Sequence, residues 1–310
     1  MNKEIIITAY ENPDLDGTAS AYAYAEFLNK IFDKKAIPAF FGKPHKEAMF
    51  VLKKIGFENF NKAEDLFSKE KKFILVDSSD LNGISEKISP DQVIEVIDHR
   101  KIHQAEVFNN AKIQIELVGA AATLVAEKFY QNNLDISESS AVLLYTAIIS
   151  NTINFKAKIT TDRDIKMTNW LKTKINIDDD FIHEMFVFKS QLDESLLQTM
   201  KNYLAFFNFF NKKIAIAQLE FVDLENFINN NLLEIKDCLE QIKKENNSDY
   251  CFLTAIDIEK GYNFFVALDE QTKNMLENIF DIKFTNDNYR REGIIMRKEI
   301  VPLLKNYLEK

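Results

Sequence analysis

The 310-residue sequence is poor in residues that often dominate small or secreted proteins: it has two cysteines, seven glycines, five prolines and one tryptophan. Cys238 and Cys251 do not have a metal-ligand spacing, so we expect ordinary buried thiols. No apolar run approaches the roughly 20 residues that span a bilayer. The first residues do not form a signal peptide pattern. The sequence therefore predicts a cytoplasmic protein that does not enter a membrane.

Positive charge is also scarce, because 48 acidic residues outweigh 39 lysines and arginines and leave a net charge of −9. Non-specific binding along a long nucleic acid requires a basic surface, so we do not expect this class of partner. A small anionic ligand is not excluded, since a few local cations are enough to bind it. The length allows two domains, each with its own core.

Short apolar runs alternate with helical stretches up to about residue 187. The segments "EIIITAY", "KKFILVDSS" and "QVIEVID" are typical of buried strands, and "TASAYAYAEFLNKIF" and "LNGISEKIS" have helical periodicity. This order predicts a doubly wound, mostly parallel α/β sheet covered on both faces. The predicted domains are 1–187 and a smaller α/β domain over 196–310, joined by an acidic, polar linker over 188–195.

Polar side chains follow several of the predicted apolar elements. Asp14 and Asp16 follow the first strand, Asp77 ends the "FILV" strand, and Asp98-His99-Arg100 ends "VIEVI". Ser150-Asn151-Thr152 ends a later helix. Ligands of open parallel sheets bind beyond the carboxyl ends of the strands. Aspartates that converge there would repel one another, so a bound cation is the economical explanation.

The motifs "NPDLDG", "LVDSSD", "VIDHRKI", "VGAAATLVAEKFY" and "TAIISNTINFKAKITTDRD" occur in the order and spacing of the DHH phosphoesterase superfamily. The sequence resembles in particular the family II, manganese-dependent inorganic pyrophosphatases and the related exopolyphosphatases. The segments "KKIAIAQLEFVD" and "GIIMRKEIVPLLKNYL" resemble the second domain of that family. The resemblance therefore covers nearly the whole chain and implies an active-site cleft between two domains.

The resemblance also implies roles for particular residues. In the family two divalent ions lie about 3.5–4 Å apart and clamp the phosphoryl oxygens. By position, Asp14 would bind the first ion, Asp16 and His99 the second, and Asp77 would bridge them. The other implied site residues are Asp98, which would orient a histidine; Asn151, at a ligand position of the second ion; Arg100, which would hold a phosphate oxygen; and Arg297 and Lys298, which would neutralise the substrate.

The sequence departs from the family pattern at several of these positions. Tyr10 replaces a metal-binding histidine, and Asn151 replaces an aspartate. Arg100 gives the "DHR" form of the prune-type exopolyphosphatase branch. Ala205 occupies the place of a substrate-binding lysine, and Met296 replaces a serine. Losing a nitrogen donor leaves a mainly oxygen site, which shifts the preference from manganese toward magnesium.

Three functions are compatible with this pattern. The first is a metal-dependent phosphohydrolase that acts on a phosphoanhydride, as pyrophosphatases and exopolyphosphatases do. The second is a pseudoenzyme that binds a phosphate or nucleotide ligand without turnover. The third, ranked lower, is an oligonucleotide or cyclic dinucleotide phosphodiesterase. The expected cofactor is one or two Mg²⁺ or Mn²⁺ ions, the expected partner is a small anionic phosphate compound, and the resemblance implies a homodimer.

Overall fold

The computed structural model describes residues 4–32, 35–101 and 103–309. Met1 and Lys310, at the ends of the two predicted domains, lie outside the described residues. The chain divides into two units, one of Met1–Phe155 with Ile159–Phe188 and one of Lys156–Lys158 with Lys189–Lys310. None of the helices in the described ranges is long and apolar enough to cross a membrane.

The first unit contains strands β1 to β5 and helices α1 to α7, except for the last two residues of α7, which belong to the second unit. Its strands are β1 (Ile5–Thr8), β2 (Ala36–Pro38), β3 (Lys72–Val76), β4 (Val93–Asp98) and β5 (Lys112–Ile115). Its helices are α1 (Leu15–Phe32), α2 (Lys46–Lys54), α3 (Ala63–Leu66), α4 (Ala121–Gln131), α5 (Glu138–Asn151), α6 (Asp162–Lys172) and α7 (Phe181–Ser190).

The five strands of the first unit form one sheet in the order β2-β1-β3-β4-β5, and every neighbouring pair is parallel. The central strands have no polar alternation, because β1 is buried at every position and β3 at all but its first. Parallel strands are buried on both faces, which explains this pattern. The predicted α/β class with a parallel sheet is confirmed.

Helix α1 leads from the end of β1 and packs against α4 and α5. It has small residues along its length, and Ala19, Ala21, Ala23 and Ala25 are all buried. Small side chains let neighbouring helix backbones approach closely. The other face of the sheet is covered by apolar side chains from α3 and from loops, among them Ile84, Ile88 and Phe108.

The predicted helix over "LNGISEKIS" is wrong, because residues 81–89 form turns and bends. Ile84 and Ile88 are four residues apart and both are buried against the sheet, so the apolar spacing is real. Gly83 has a φ of +94°, a conformation that an α-helix cannot contain.

The second unit begins with α8 (Leu196–Asn202) and contains a mixed sheet in the order β10-β9-β8-β7-β6. Only β7 and β8 are parallel, and a long helix connects them. The other elements are β6 (Leu204–Phe209), β7 (Lys212–Phe221), α9 (Leu224–Asn246), β8 (Tyr250–Asp257), β9 (Tyr262–Ala267), α10 (Glu270–Phe280), β10 (Asn288–Glu292) and α11 (Arg297–Leu308). One apolar cluster packs the sheet against α8 and α9, and another packs it against α10 and α11.

Strands β6 and β10 were not predicted from the sequence. Strand β6 pairs antiparallel with β7 through a turn in which Phe210 and Asn211 have φ values of 48° and 63°. Two consecutive left-handed residues are typical of a tight hairpin turn, but the usual glycine signal is missing. Strand β10, with the sequence NYRRE, is too charged to stand out as a strand.

Candidate metal centre

The sheet order of the first unit brings the predicted site residues to one edge. Strands β1, β3 and β4 are direct neighbours and run parallel, so their carboxyl ends lie side by side. Asp14 and Asp16 follow β1, Asp77 follows β3, and Asp98 is the last residue of β4. This edge is where parallel α/β sheets place their ligands.

Three side chains form a compact group at this edge. One ligand atom each from Asp16, Asp77 and His99 can be chosen so that all three lie within 4.8 Å of one another. His99 Nε2 lies 3.3 Å from Asp77 Oδ1 and 3.7 Å from Asp16 Oδ2. Both aspartates are buried. Two buried carboxylates and one imidazole nitrogen therefore converge on one small volume.

The imidazole ring of His99 is oriented by a backbone carbonyl. Its Nδ1 lies 3.0 Å from the carbonyl oxygen of Val118. A carbonyl oxygen only accepts, so Nδ1 carries a proton and donates it. In the neutral ring Nε2 then has a free lone pair that faces the two carboxylates, which is the arrangement of a metal-binding histidine.

Asp98 contacts the backbone of His99. Its Oδ1 accepts a hydrogen bond of 2.6 Å from the backbone amide of His99, and its Oδ2 accepts from the hydroxyl of Ser79. The carboxylate therefore fixes the backbone at the end of β4, whereas the ring of His99 is held by Val118.

Asp16 is held by the beginning of helix α4. Its two oxygens accept hydrogen bonds of 2.8 Å from the backbone amides of Ala121 and Ala122, which lie in the first turn of that helix. These amides have no partner within the helix, so a carboxylate satisfies them and is stabilised by the helix dipole. Asn151 Nδ2 donates a third bond of 2.8 Å to Asp16 Oδ2.

Asp77 has a left-handed backbone conformation, with a φ of 52°. Its amide donates to the carbonyl oxygen of Ile97 at 2.8 Å, which holds the residue against β4. A non-glycine residue at positive φ is uncommon, although aspartate tolerates it better than most. Such conformations concentrate at functional sites, where neighbouring contacts hold them in place.

The proximity of the three groups shifts their pKa values. Burial, and then the charge of Asp77, raises the pKa of Asp16 well above its usual range. Burial and the charge of Asp14 raise the pKa of Asp77 to about 6. Burial lowers the pKa of His99. The hydrogen bond to Asp77 and the charges of Asp16 and Asp77 outweigh this effect and raise the pKa of His99 to about 9. The group therefore favours added positive charge.

Asp14 lies outside this group of three ligand atoms. Its Oδ1 accepts a hydrogen bond of 3.0 Å from the amide of Gly17, which caps helix α1. The amide of Asp14 donates to the hydroxyl oxygen of Tyr10 at 3.0 Å. Burial and the charges of Asp14 and Asp77 raise the pKa of Tyr10, so its phenol is neutral at physiological pH.

The guanidinium of Arg100 lies beside Asp77. Its Nη2 donates to the backbone carbonyl of Asp77 at 3.0 Å. Its Nε lies 3.6 Å from a carboxylate oxygen of Asp98, and its Nη1 lies 3.9 Å from one of Asp80. Burial lowers the pKa of Arg100, but these carboxylates outweigh it, so its charge is permanent.

The predicted phosphate-binding pair lies at the start of α11 in the second unit. Arg297 Nη1 donates to the carbonyl oxygens of Tyr203 and Ile216 at 2.6 and 3.1 Å. These bonds fix the guanidinium and leave Nε and Nη2 as donors. Lys298 is exposed. Ala205, at the place of the family lysine, pairs with Ile216 between β6 and β7.

Sequence reasoning missed the loop that supports the site. Asp164 is buried and accepts hydrogen bonds from the amide of Gly119 and from the hydroxyls of Thr123 and Thr161. The carbonyl of Gly119 in turn accepts from Asn151 at 3.2 Å. The run of small residues in "VGAAAT" was the sequence signal for this loop, because small side chains let the loop and the start of α4 approach Asp16 closely.

The donors at this edge fit a divalent cation. Two carboxylate oxygens and an imidazole nitrogen are ligands that Mn²⁺ and related ions accept, and carboxylate oxygens also suit Mg²⁺. A second observation is independent of these three residues. The buried side-chain oxygens Ser78 Oγ and Asp80 Oδ1, one and three residues after Asp77, have no hydrogen-bond partner within the described ranges. Buried polar atoms of this kind are rare unless a ligand or water satisfies them.

Comparisons with known proteins match both parts of the chain. The DHH family, N-terminal domain model matches residues 4–148, and the DHHA2 domain model matches residues 183–307. The manganese-dependent inorganic pyrophosphatase of Bacillus subtilis strain 168 is 28% identical over 305 residues, which cover 97% of this chain and 98% of that protein.

Two solved structures have folds similar to that of this chain. A candidate family II inorganic pyrophosphatase of Methanococcus jannaschii has a TM-score of 0.74 and 27% identity, with 99% of this chain and all of that chain covered. An exopolyphosphatase-related protein of Bacteroides fragilis has a TM-score of 0.53 at 17% identity, which supports the fold alone. The chain thus contains a DHH-family N-terminal domain over residues 4–148, followed by a DHHA2 domain over residues 183–307.

Proposed function

We propose that this protein is a divalent-metal-dependent phosphohydrolase that acts on a phosphoanhydride, in the manner of pyrophosphatases and exopolyphosphatases. One observation carries the proposal: Asp16, Asp77 and His99 place their ligand atoms within 4.8 Å of one another in a DHH domain. The relative from Bacillus subtilis is named a manganese-dependent inorganic pyrophosphatase. A family likeness across both domains favours a shared reaction class.

The three residues have separate tasks in this proposal. Asp77 and Asp16 supply carboxylate oxygens, and His99 supplies Nε2 because Val118 fixes the ring and its proton. A bound divalent ion supplies Lewis acidity toward a phosphoryl oxygen and lowers the pKa of a coordinated water. Asp14 and Asn151, the other ligands that the sequence predicts, stay predictions.

Positive side chains are proposed to bind the anionic substrate. Arg100 carries a permanent charge next to the centre. Arg297 is held by two backbone carbonyls, so its remaining donors are preorganised, and a planar guanidinium can bind two phosphate oxygens at once. Lys298, which is exposed, adds a second positive charge in the first turn of α11.

Phosphate release tests the proposal directly. Metal-stripped protein is assayed with pyrophosphate, a short polyphosphate and nucleotides, each with Mg²⁺ or Mn²⁺. We expect metal-dependent release from at least one phosphoanhydride, and loss of that release in Asp77→Asn. Absence of release from every substrate with either ion would refute the proposal.

A pseudoenzyme that binds a phosphate ligand without turnover is the second candidate. Asn151 favours it, because this neutral side chain donates to Asp16 where the family pattern has an acidic residue. Binding of phosphate or a nucleotide, measured on the same protein, together with no phosphate release in the assay, would support this candidate over the hydrolase.

A further inference from the structure

We infer that the centre of Asp16, Asp77 and His99 holds a single divalent ion per chain, and that Arg100 supplies the second positive charge. The inference rests on the proposed function and specifies its site. In the part of the chain that the structure describes, the ligand-atom group contains these three side chains and no fourth.

Asp14 and Tyr10, two side chains that could join Asp77 around a second ion, already take part in hydrogen bonds. Asp14 Oδ1 accepts from the amide of Gly17 at 3.0 Å and caps α1. Tyr10 presents a hydroxyl that already accepts from the amide of Asp14. A neutral phenol is a poor ligand for a hard cation compared with a carboxylate. Apart from Oδ2 of Asp14, Asp77 would therefore have little help in holding a second ion.

Asp16 also has limited capacity. Its oxygens accept three hydrogen bonds of 2.8 Å, from Ala121, Ala122 and Asn151, and a longer one of 3.4 Å from the hydroxyl of Ser20. A carboxylate offers about four lone-pair positions, so an ion would take the one that the long bond from Ser20 occupies, and no position remains for a second ion.

The orientation of Asn151 is determined by two acceptors. Its Nδ2 donates to Asp16 Oδ2 and to the carbonyl oxygen of Gly119 at 3.2 Å. Rotating the amide would place its oxygen against both of these oxygens. Asn151 is thus a positioning residue for Asp16, which it holds toward His99.

Arg100 provides the fixed charge. Its guanidinium bonds to the carbonyl of Asp77 and lies 3.6 and 3.9 Å from carboxylate oxygens of Asp98 and Asp80. The guanidinium carbon of Arg100 also lies 5.8 Å from the ring centroid of Tyr10, whose hydroxyl accepts from the amide of Asp14. A permanent cation here compensates the surrounding carboxylates and repels a second dication.

The test counts ions and does not require turnover. The full chain is stripped with a chelator and titrated with Mn²⁺ by calorimetry, and the loaded protein is examined by electron paramagnetic resonance. We expect one ion per chain and the spectrum of isolated Mn²⁺. Two ions per chain, or the exchange-coupled spectrum of ions about 4 Å apart, would overturn the inference and leave the proposed function standing. No bound ion would overturn both.

Variants separate the individual roles, with folding checked by circular dichroism. Asp14→Asn keeps the oxygen that caps α1 and removes one negative charge close to Asp77, so we expect one ion per chain and an affinity lowered about fivefold. A loss of about 100-fold or more, as expected for a ligand, would make Asp14 a ligand. Arg100→Gln removes a charge and should raise the Mn²⁺ affinity about fivefold or more, whereas Arg100→Lys should not. An unchanged or lower affinity in Arg100→Gln would overturn the role of Arg100.

Discussion

His99 Nε2 lies 3.3 Å from Oδ1 of Asp77, while the opposite nitrogen of the same ring is held by a backbone carbonyl. The two residues come from the ends of neighbouring parallel strands, β4 and β3. The sheet therefore sets their separation, and the carbonyl of Val118 sets which nitrogen faces the carboxylate. This pair is the basis of the proposed metal centre.

Replacing Asp77 by asparagine should lower the affinity for Mn²⁺ by about 100-fold or more, because the change removes a charged ligand while it keeps the shape of the side chain. Asparagine also tolerates the left-handed backbone of this position. Calorimetric titration measures the affinity. Asp65→Asn, at an exposed position of the same unit, is the control and should bind as the parent does. Equal affinities in the two variants would remove Asp77 from the centre.

Metal binding should strengthen as the pH rises. The pKa values of Asp77 and His99, about 6 and about 9 without metal, are raised above their ordinary values. Protonation of these groups therefore stabilises the metal-free fold at low pH, and this stabilisation is lost as the pH rises through those values. The same loss of protons frees the carboxylate and the imidazole to bind a metal ion. The increase in Tm that Mn²⁺ produces over a chelator should be larger at about pH 8 than at about pH 6. A smaller increase at the higher pH would contradict the assignment.

Asn151→Asp should destabilise the metal-free protein by roughly 1–3 kcal/mol, because it places a carboxylate next to Asp16 and removes the donor to Gly119. Added Mn²⁺ should raise the Tm of this variant by more than it raises the Tm of the parent, since the new charge attracts the ion. Asn109→Asp, at an exposed turn, should show neither effect. Thermal unfolding with and without Mn²⁺ measures both. An equal metal-induced shift in Asn151→Asp and the parent would show that residue 151 does not face the ion.

Gly119→Ala should destabilise the first unit and weaken metal binding. A Cβ atom at this position would lie 2.5 Å from Thr152 Cγ2 and 2.8 Å from Asp164 Oδ2, so the loop that supports Asp16 would have to move. We expect a loss of roughly 1–3 kcal/mol in the free energy of unfolding. Gly56→Ala is the matched control: its Cβ would meet no atom within 4 Å, and its φ of +88° should cost about 1 kcal/mol without affecting Mn²⁺. Equal Mn²⁺ affinities in both variants would contradict the supporting role of the loop.

The parallel sheet and the edge at which the acidic residues meet could be predicted because both depend on local patterns. Buried apolar runs identify β1, β3 and β4, and a parallel order places their carboxyl ends together. The contacts of Asn151 could not be predicted, because the side chain can either donate or coordinate. Its orientation depends on the carbonyl of Gly119, 32 residues away in sequence.

Other features lay beyond local patterns for similar reasons. The role of Asp164 depends on the amide of Gly119, 45 residues away, and the turn between β6 and β7 uses no glycine at its two left-handed positions. The segment over residues 81–89 has helical apolar spacing and still forms turns. The cleft between the domains, the homodimer and the cytoplasmic location stay predictions.

Anomalous diffraction at the manganese edge, from crystals of the full chain grown with Mn²⁺, tests the metal centre most directly. We predict one strong peak within coordination distance, about 2.0–2.3 Å, of an oxygen of Asp77, an oxygen of Asp16 and Nε2 of His99. A peak that touches none of these three side chains, or no peak at this edge of the sheet, would contradict the proposed centre.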